Sequence, residues 1–331
     1  MSDSNHSIAA QRAVWQPDVL EGFECTTLAV AGASGATDAV VVRRAGSSHE
    51  RGAAVLYVHG FVDYFFQSHL AEFYEANGLR FYALDLRRHG RALGDGQVPN
   101  FTRSIDEYLD DVSAAIGLLQ AQEGVDWLLL NGHSTGGLVA ALYAHRGARR
   151  SEVQAVFLNS PFLDMNLPRW QQLVAEPLLA ALGRIAPMVA LPGLSSLYAE
   201  SLHVEHRGEW SFDLAWKPLA GFPARAGWFR AIHRAQAEVA AGLGIGQPVL
   251  LLHAARSARP KEWNDDVLSA DIVLDVADME RLGPGLGADV EIHGIDGCIH
   301  DLVLSPEPGR AQAFVLLADW LARVRHRGSA A

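Results

Sequence analysis

Residues 125–146 read VDWLLLNGHSTGGLVAALYAHR, and this stretch decides the fold. Its opening, VDWLLLNG over 125–132, centres on consecutive leucines. A continuous apolar run of this kind marks a strand covered on both faces. Its close, from about 135 to 146, reads as a helix. Between them stands Gly132-His133-Ser134-Thr135-Gly136, followed by Gly137. The pentapeptide fits G-x-S-x-G in the setting that gives the motif meaning, a tight turn from a buried strand into a helix. Small residues two before and two after the serine allow the sharp turn. The helix N-terminus behind the serine favours developing negative charge. Ser134 is the candidate nucleophile, and Gly132, His133 and Gly136 form the elbow around it.

Outward from this turn the chain keeps one rhythm. Upstream, ECTTLAV (24–30) and DAVVVR (38–43) read as an opening antiparallel pair, and AVLYV (54–58) as a buried strand. A helix is expected over about 66–77, ended by Asn77-Gly78, then a strand RFYALDL over 80–86. A long helix is expected near 104–122, with Ser104 and Glu107 at capping-box spacing. Downstream, VQAVFLN (153–159) gives another strand. The alternation predicts an α/β fold, a mostly parallel sheet with helices on both faces.

From about 162 to 246 the rhythm stops. No buried strand is evident, and the stretch holds Trp170, Trp210, Trp216 and Trp228 with several prolines. It is expected to be an inserted helical cap, with residues 1–161 and 247–331 forming the core domain. PVLLLHA (248–254), DVEIHGI (289–295) and a closing helix over about 308–325 resume the pattern. Residues 177–194, PLLAALGRIAPMVALPGL, raise the question of a membrane span. Pro187, Pro192 and a central Arg184 argue against stable insertion.

The bulk composition agrees with a sizeable folded core: 331 residues, 49% hydrophobic. Thirty-eight acidic residues against 27 basic ones give a formal charge of −11, which disfavours nucleic acid and anionic membrane surfaces as partners. Two cysteines, Cys25 and Cys298, sit far apart and in no metal spacing, so a reducing cytoplasm is the expected setting. The opening residues show neither a basic nor an apolar signal region.

A second motif, YVHGF at 57–61, directly follows a buried strand. Together with GHSTGG and a late Asp…His pair, it gives the chain a resemblance to the α/β-hydrolase superfamily over about residues 53–326. Within it, the chain resembles the monoacylglycerol lipase and lysophospholipase-like group, which is itself similar to serine aminopeptidases. The resemblance implies an α/β-hydrolase fold and a Ser-His-Asp triad. It implies that the backbone N–H groups of Phe61 and Thr135 form the oxyanion hole. Many relatives carry a second glycine where this chain has Val62. The base is expected at His300, after strand 289–295 and a loop bearing Gly297, before the last helix. The acid is expected on the chain after strand 248–254. There the segment SADIVLDV matches the family's usual Asp-bearing run, displaced by an insertion of about fifteen residues. Asp271 is the choice, with Asp265, Asp266, Asp275 and the more distant Asp164 as rivals.

The expected activity is hydrolysis of a carboxylic ester, such as a monoacylglycerol or lysophospholipid, through an acyl-enzyme. Thioesterase, amidase or peptidase chemistry on the same triad is one alternative. A slow-turnover binding protein on the same fold is another. The partner is a small-molecule acyl ester; no metal and no organic cofactor are required, and the sequence leaves the oligomeric state open. His203 and His206 lack the partners of a metal site. Arg87, Arg88 and Arg91 read as a solvated loop or, less simply, as a site for an anionic substrate.

Overall fold

In the computed structural model the described residues are 13–30, 37–46, 52–165, 169–191 and 195–328. The Ala/Gly-rich 31–36 and the break at 192–194 lie outside them, as does the side chain of Trp170. Nine strands form one sheet. Strand β1 (Gln16–Pro17), which the sequence did not suggest, edges the antiparallel pair β2 (Phe23–Val30) and β3 (Thr37–Arg44). The rest are β4 (Gly52–Val58), β5 (Arg80–Asp85), β6 (Val125–His133), β7 (Ala155–Asn159), β8 (Val249–Ala254) and β9 (Val290–Ile295). From β5 to β9 neighbouring strands run parallel, in the order β5-β4-β6-β7-β8-β9.

Helices cover both faces, which is why the parallel strands read as unbroken apolar runs. On one face lie α1 (Ser68–Ala76) and α8 (Gly309–Gly328), with Leu70, Tyr74, Leu317 and Trp320 buried among the strand side chains. On the other lie α2 (Asp106–Glu123) and α3 (Thr135–Arg146), with Val112, Ile116, Leu138 and Leu142 fully buried. Each such side chain contributes about 1.5–3 kcal/mol relative to exposure. Between β7 and β8 the chain adds α4 (Arg169–Ile185), α5 (Leu197–Leu202) and α6 (Ala226–Ala240) and, among the described residues, no strand of the sheet. No helix among the described residues is long and apolar enough to cross a membrane.

Two local expectations are corrected. The capping box at Ser104 does not form: α2 begins with Ile105 at its cap, and Glu107 turns inward to Arg88 at 3.0 Å. Buried charge outbids a surface cap here, because an unpaired buried guanidinium costs far more than a lost cap. The arginine cluster is neither solvated nor open to an anion. Arg87 grips Asp111 with two nitrogens, and Arg91 bonds Asp18 and Asp85.

Candidate active site

The chain order reverses at β4: β5 pairs with one edge and β6 with the other. Loops leaving the carboxyl ends of strands on either side of such a switch open a crevice. Here the register sets Val58 beside Gly132, so the loop after β4 runs alongside the turn after β6. A Cβ built on Gly60 would lie 3.1 Å from the Ser134 Cβ. Residues 59–61 and Ser134 are neighbours because of that register.

Ser134 adopts φ 54° and ψ −117°, the strained left-handed region that a serine avoids unless the surroundings impose it. What imposes it is backbone pairing. Ser134 N–H donates to the Asn159 carbonyl at 3.0 Å, and its own carbonyl accepts from Gly137, Leu138 and Phe162. At Gly136 a Cβ would overlap the carbonyl oxygens of Val58 and His59, so only glycine lets α3 approach β4 this closely. His133 is buried, with Nδ1 3.2 Å from the Asn159 carbonyl oxygen.

His300 stands on the loop between β9 and α8. Its Nδ1 donates to Asp271 Oδ2 at 2.8 Å, and both side chains are almost wholly buried. The other Asp271 oxygen accepts the Val273 and Leu274 amides at 2.8 Å each, which holds the carboxylate in one orientation. The rival acids are occupied elsewhere. Asp164 bonds Arg281 at 2.6 Å, Asp275 caps the helix α7 (Val276–Leu282), and Asp265 and Asp266 lie in a short turn with Asp266 paired to Arg256. Nε2 of His300 has no hydrogen-bond partner among the described residues, and no hydrogen bond joins it to Ser134 there. The two side chains meet as walls of one cavity.

That cavity encloses about 450 Å³. Its walls are chiefly apolar: Phe162, Leu179, Leu191, Trp228, Phe229 and Leu274 among them. Phe61 and Thr135 also line it, and among the described residues neither backbone N–H donates to an acceptor. Phe61 packs on Trp228 with ring centroids 4.1 Å apart. A separate open cleft of about 550 Å³, between Trp127 and Arg325, lies beside the starts of β4 and β6, away from these groups.

The histidines near the cavity differ in what their nitrogens can do. His59 Nδ1 donates to the Gly60 carbonyl at 2.8 Å, and its Nε2 accepts the Leu86 amide at 3.1 Å, so both are spent on backbone. Burial pushes His133 below the ordinary imidazole range, although the nearby Asp301 pulls the other way. His89, packed against His59, is pushed down by burial and by that neighbour to about 3. His203 is spent likewise, Nε2 lying 3.1 Å from the Phe212 carbonyl oxygen and Nδ1 accepting the Glu205 amide. No cluster of His, Cys, Asp and Glu with metal-binding geometry occurs among the described residues.

Three side chains at the site went unnoticed in the sequence. Tyr198, on α5, sets its ring edge-on to His300 at 5.6 Å. Asp63 and Lys217 form a buried ion pair at 2.7 Å on the cavity wall. Burial alone would raise the Asp63 carboxyl, but Lys217 holds it below the usual range. The position of Asp63, two residues past the expected oxyanion donor, was the available signal.

A family described as serine aminopeptidase, S33, matches residues 49–307. The monoacylglycerol lipase of Mycolicibacterium smegmatis is 31% identical over 148 residues, taking in 44% of this chain and 50% of that protein. The chain thus spans about half the length of this relative. Among solved structures, a soluble variant of the monoglyceride lipase of Saccharomyces cerevisiae, in complex with a substrate analog, aligns with a TM-score of 0.64 at 16% identity, covering 98% of this chain and 99% of that one. A thermophilic esterase from Thermogutta terrifontis aligns with a TM-score of 0.55 at 16% identity, covering 91% and 98%. At such identities the likeness is one of fold.

Proposed function

This chain belongs to the serine aminopeptidase, S33, family and has the α/β-hydrolase fold, and from that premise we propose that it is a serine hydrolase cleaving carboxylic esters of medium or long acyl chains. The observation that carries the reading is the convergence on one apolar cavity of a strained serine, a carboxylate-bound imidazole and two N–H groups that find no acceptor among the described residues. Monoacylglycerols and lysophospholipids are the substrate classes, an assignment supported by the Mycolicibacterium relative and by the apolar walls.

The mechanism is two-step acyl transfer. Ser134 attacks the ester carbonyl while His300 Nε2 takes its proton. Asp271 fixes the tautomer with Nδ1 protonated and stabilises the imidazolium that forms. The Phe61 and Thr135 amides receive the oxyanion, each such donor contributing about 3–4 kcal/mol to the transition state. His300 returns the proton to the leaving alcohol, then activates water to release the acid. Residues 162–246 act as a cap on the core formed by 1–161 and 247–331, and supply most of the acyl-binding wall. A cytoplasmic setting belongs to the same reading, since Cys25 and Cys298 are both unpaired.

Ester cleavage is preferred to aminopeptidase action for an electrostatic reason. A free α-amino group needs an anion to receive it. Among the described residues the one carboxylate lining the cavity is Asp63, already paired with Lys217.

A chain-length series of p-nitrophenyl esters tests the reading, with Ser134→Ala as control. The wild type is expected to turn over with an optimum at medium or long chains, and the variant to lose at least about 10⁴-fold in kcat. Turnover that survives in Ser134→Ala would overturn the assignment of the nucleophile. A wild type inert to esters but active on thioesters or amides would replace the substrate class.

A further inference from the structure

The loop that carries Phe61 is under strain. Val62 has φ 51°, and a β-branched residue there costs about 1–3 kcal/mol unless the surroundings hold it. Beyond Val62, Asp63, Tyr64 and Phe66 are held by one turn of the segment between β7 and β8. Asp63 pairs with Lys217 at 2.7 Å. The Tyr64 hydroxyl accepts the Asp213 amide at 2.6 Å, and the Tyr64 ring meets Trp216 edge-on at 5.1 Å. Phe66 packs on Phe212, with centroids 5.0 Å apart. The turn is itself closed by the Lys217 amide donating to the Asp213 carbonyl at 2.9 Å.

Lys217 is unusual in this chain. Of 27 basic residues only Lys217 and Lys261 are lysines; the rest are arginines. Lys261 is exposed, whereas Lys217 is 6% exposed and sits on the cavity wall. A compact ammonium suits a narrow buried place beside a single carboxylate, where a planar fork of five donors would leave several unsatisfied. Its Nζ also lies 5.7 Å from the Phe66 and Phe212 ring centroids, so aromatic faces complete its surroundings.

We infer that Lys217 is a positioning residue for the oxyanion hole: through Asp63 it holds the strained 61–63 backbone so that the Phe61 N–H faces the developing oxyanion. The turn 212–217 is then a fixed part of the catalytic centre. This inference rests on the ester-hydrolase reading above. Its specific consequence is that Lys217 acts on the tetrahedral state and hardly on the bound ester, since only the former carries the charge that the N–H receives.

The test compares wild type, Lys217→Met, Asp63→Leu and the double variant. It measures kcat and KM for the best p-nitrophenyl ester, inhibition by a trifluoromethyl ketone of the same chain length, and the rate of Ser134 phosphonylation by a fluorophosphonate. Lys217→Met is expected to lower kcat and the phosphonylation rate about 10- to 100-fold and to weaken the ketone by the same factor, with KM moving less than about threefold. The double variant leaves no buried charge unpaired and folds. It is expected to be no worse than the worse single variant, the mark of two residues acting as one unit.

A folded Lys217→Met protein with wild-type kcat and ketone affinity overturns the proposal. Should the lone substitution fail to fold, the double variant decides, and wild-type kcat and ketone affinity in it overturn the proposal equally. A wild type that the fluorophosphonate does not label sinks the hydrolase reading itself. A labelled wild type that cleaves no ester sinks only the ester reading, because the phosphonylation rates still report on Lys217.

Discussion

Ser134, Asp271 and His300 hang from loops at the ends of parallel strands, whereas most of the wall facing them comes from a segment that, among the described residues, adds no strand to the sheet. The first region is held by backbone. Its register, its carbonyl contacts at Ser134 and the amides on Asp271 leave little play. The second is held by side chains, and unevenly. Around 212–217 it is bonded and stacked onto the loop after β4. Along its outer side Leu178, Ile185, Met188 and Val189 stand exposed. On the proposed ester-hydrolase reading the contrast separates chemistry from selection: strand ends hold the candidate reacting groups, and a substitutable wall would set which acyl chain fits.

The largest loss is expected when the strand-end groups are disabled one at a time. Asp271→Asn keeps the shape but removes the charge that fixes the His300 tautomer. An approximately 10⁴-fold loss in kcat is expected, with little change in the thermal midpoint. A loss below tenfold would return the role of the acid to a neighbour.

Acidification probes the same region through stability. His89 is buried and neutral, with its pKa pushed down to about 3, so the unfolded chain takes up a proton near pH 6.5 that the native state refuses. Stability is therefore full above about pH 6.5 and falls as pH drops from there towards 3, by at most about 1.4 kcal/mol per pH unit for this group. Denaturant titrations from pH 7 to 4 should show that slope, and His89→Asn should make it shallower. His69 and His133, also depressed by burial, add to it in the same direction.

The smallest effect is expected on the outer side of the segment. Ile185, 84% exposed, should tolerate serine within about 0.5 kcal/mol of stability, with no change in kcat on a dissolved short-chain ester. A large loss there would mean that this side is held as firmly as 212–217.

Much of the architecture was legible because period and context agree. Buried strands announced themselves as apolar runs, and G-x-S-x-G gained meaning only from standing between one such run and a helix. The place of His300 after the last strand singled it out as the expected base, and its Nδ1 lies 2.8 Å from Asp271. Asp271 was harder, because the usual motif is pushed along the chain by the intervening residues, and only the match of SADIVLDV to the family's run singled it out. Arg87, Arg88 and Arg91 misled because most of their carboxylates lie well away in sequence, at Asp18, Glu107 and Asp111, and only Asp85 is a near neighbour. Lys217 gave no periodic or motif signal, since its partner is 154 positions away. Its rarity among so many arginines was the one available hint.

The detour that displaces Asp271 is tied off at its neck. Ser257 bridges Asp271, the Ala258 amide donates to the Asp271 carbonyl at 2.9 Å, and the Asp271 amide donates to the Arg256 carbonyl at 3.0 Å. Residues 259–262 stand exposed or half-exposed outside that knot, while Val267 and Ala270 tuck back into the core. Doubling the length of such a bight costs only about 0.6 kcal/mol in closure entropy. Evolution, or an engineer, can therefore splice new sequence into it as at a grafting port, while the carboxylate keeps its distance from the imidazole.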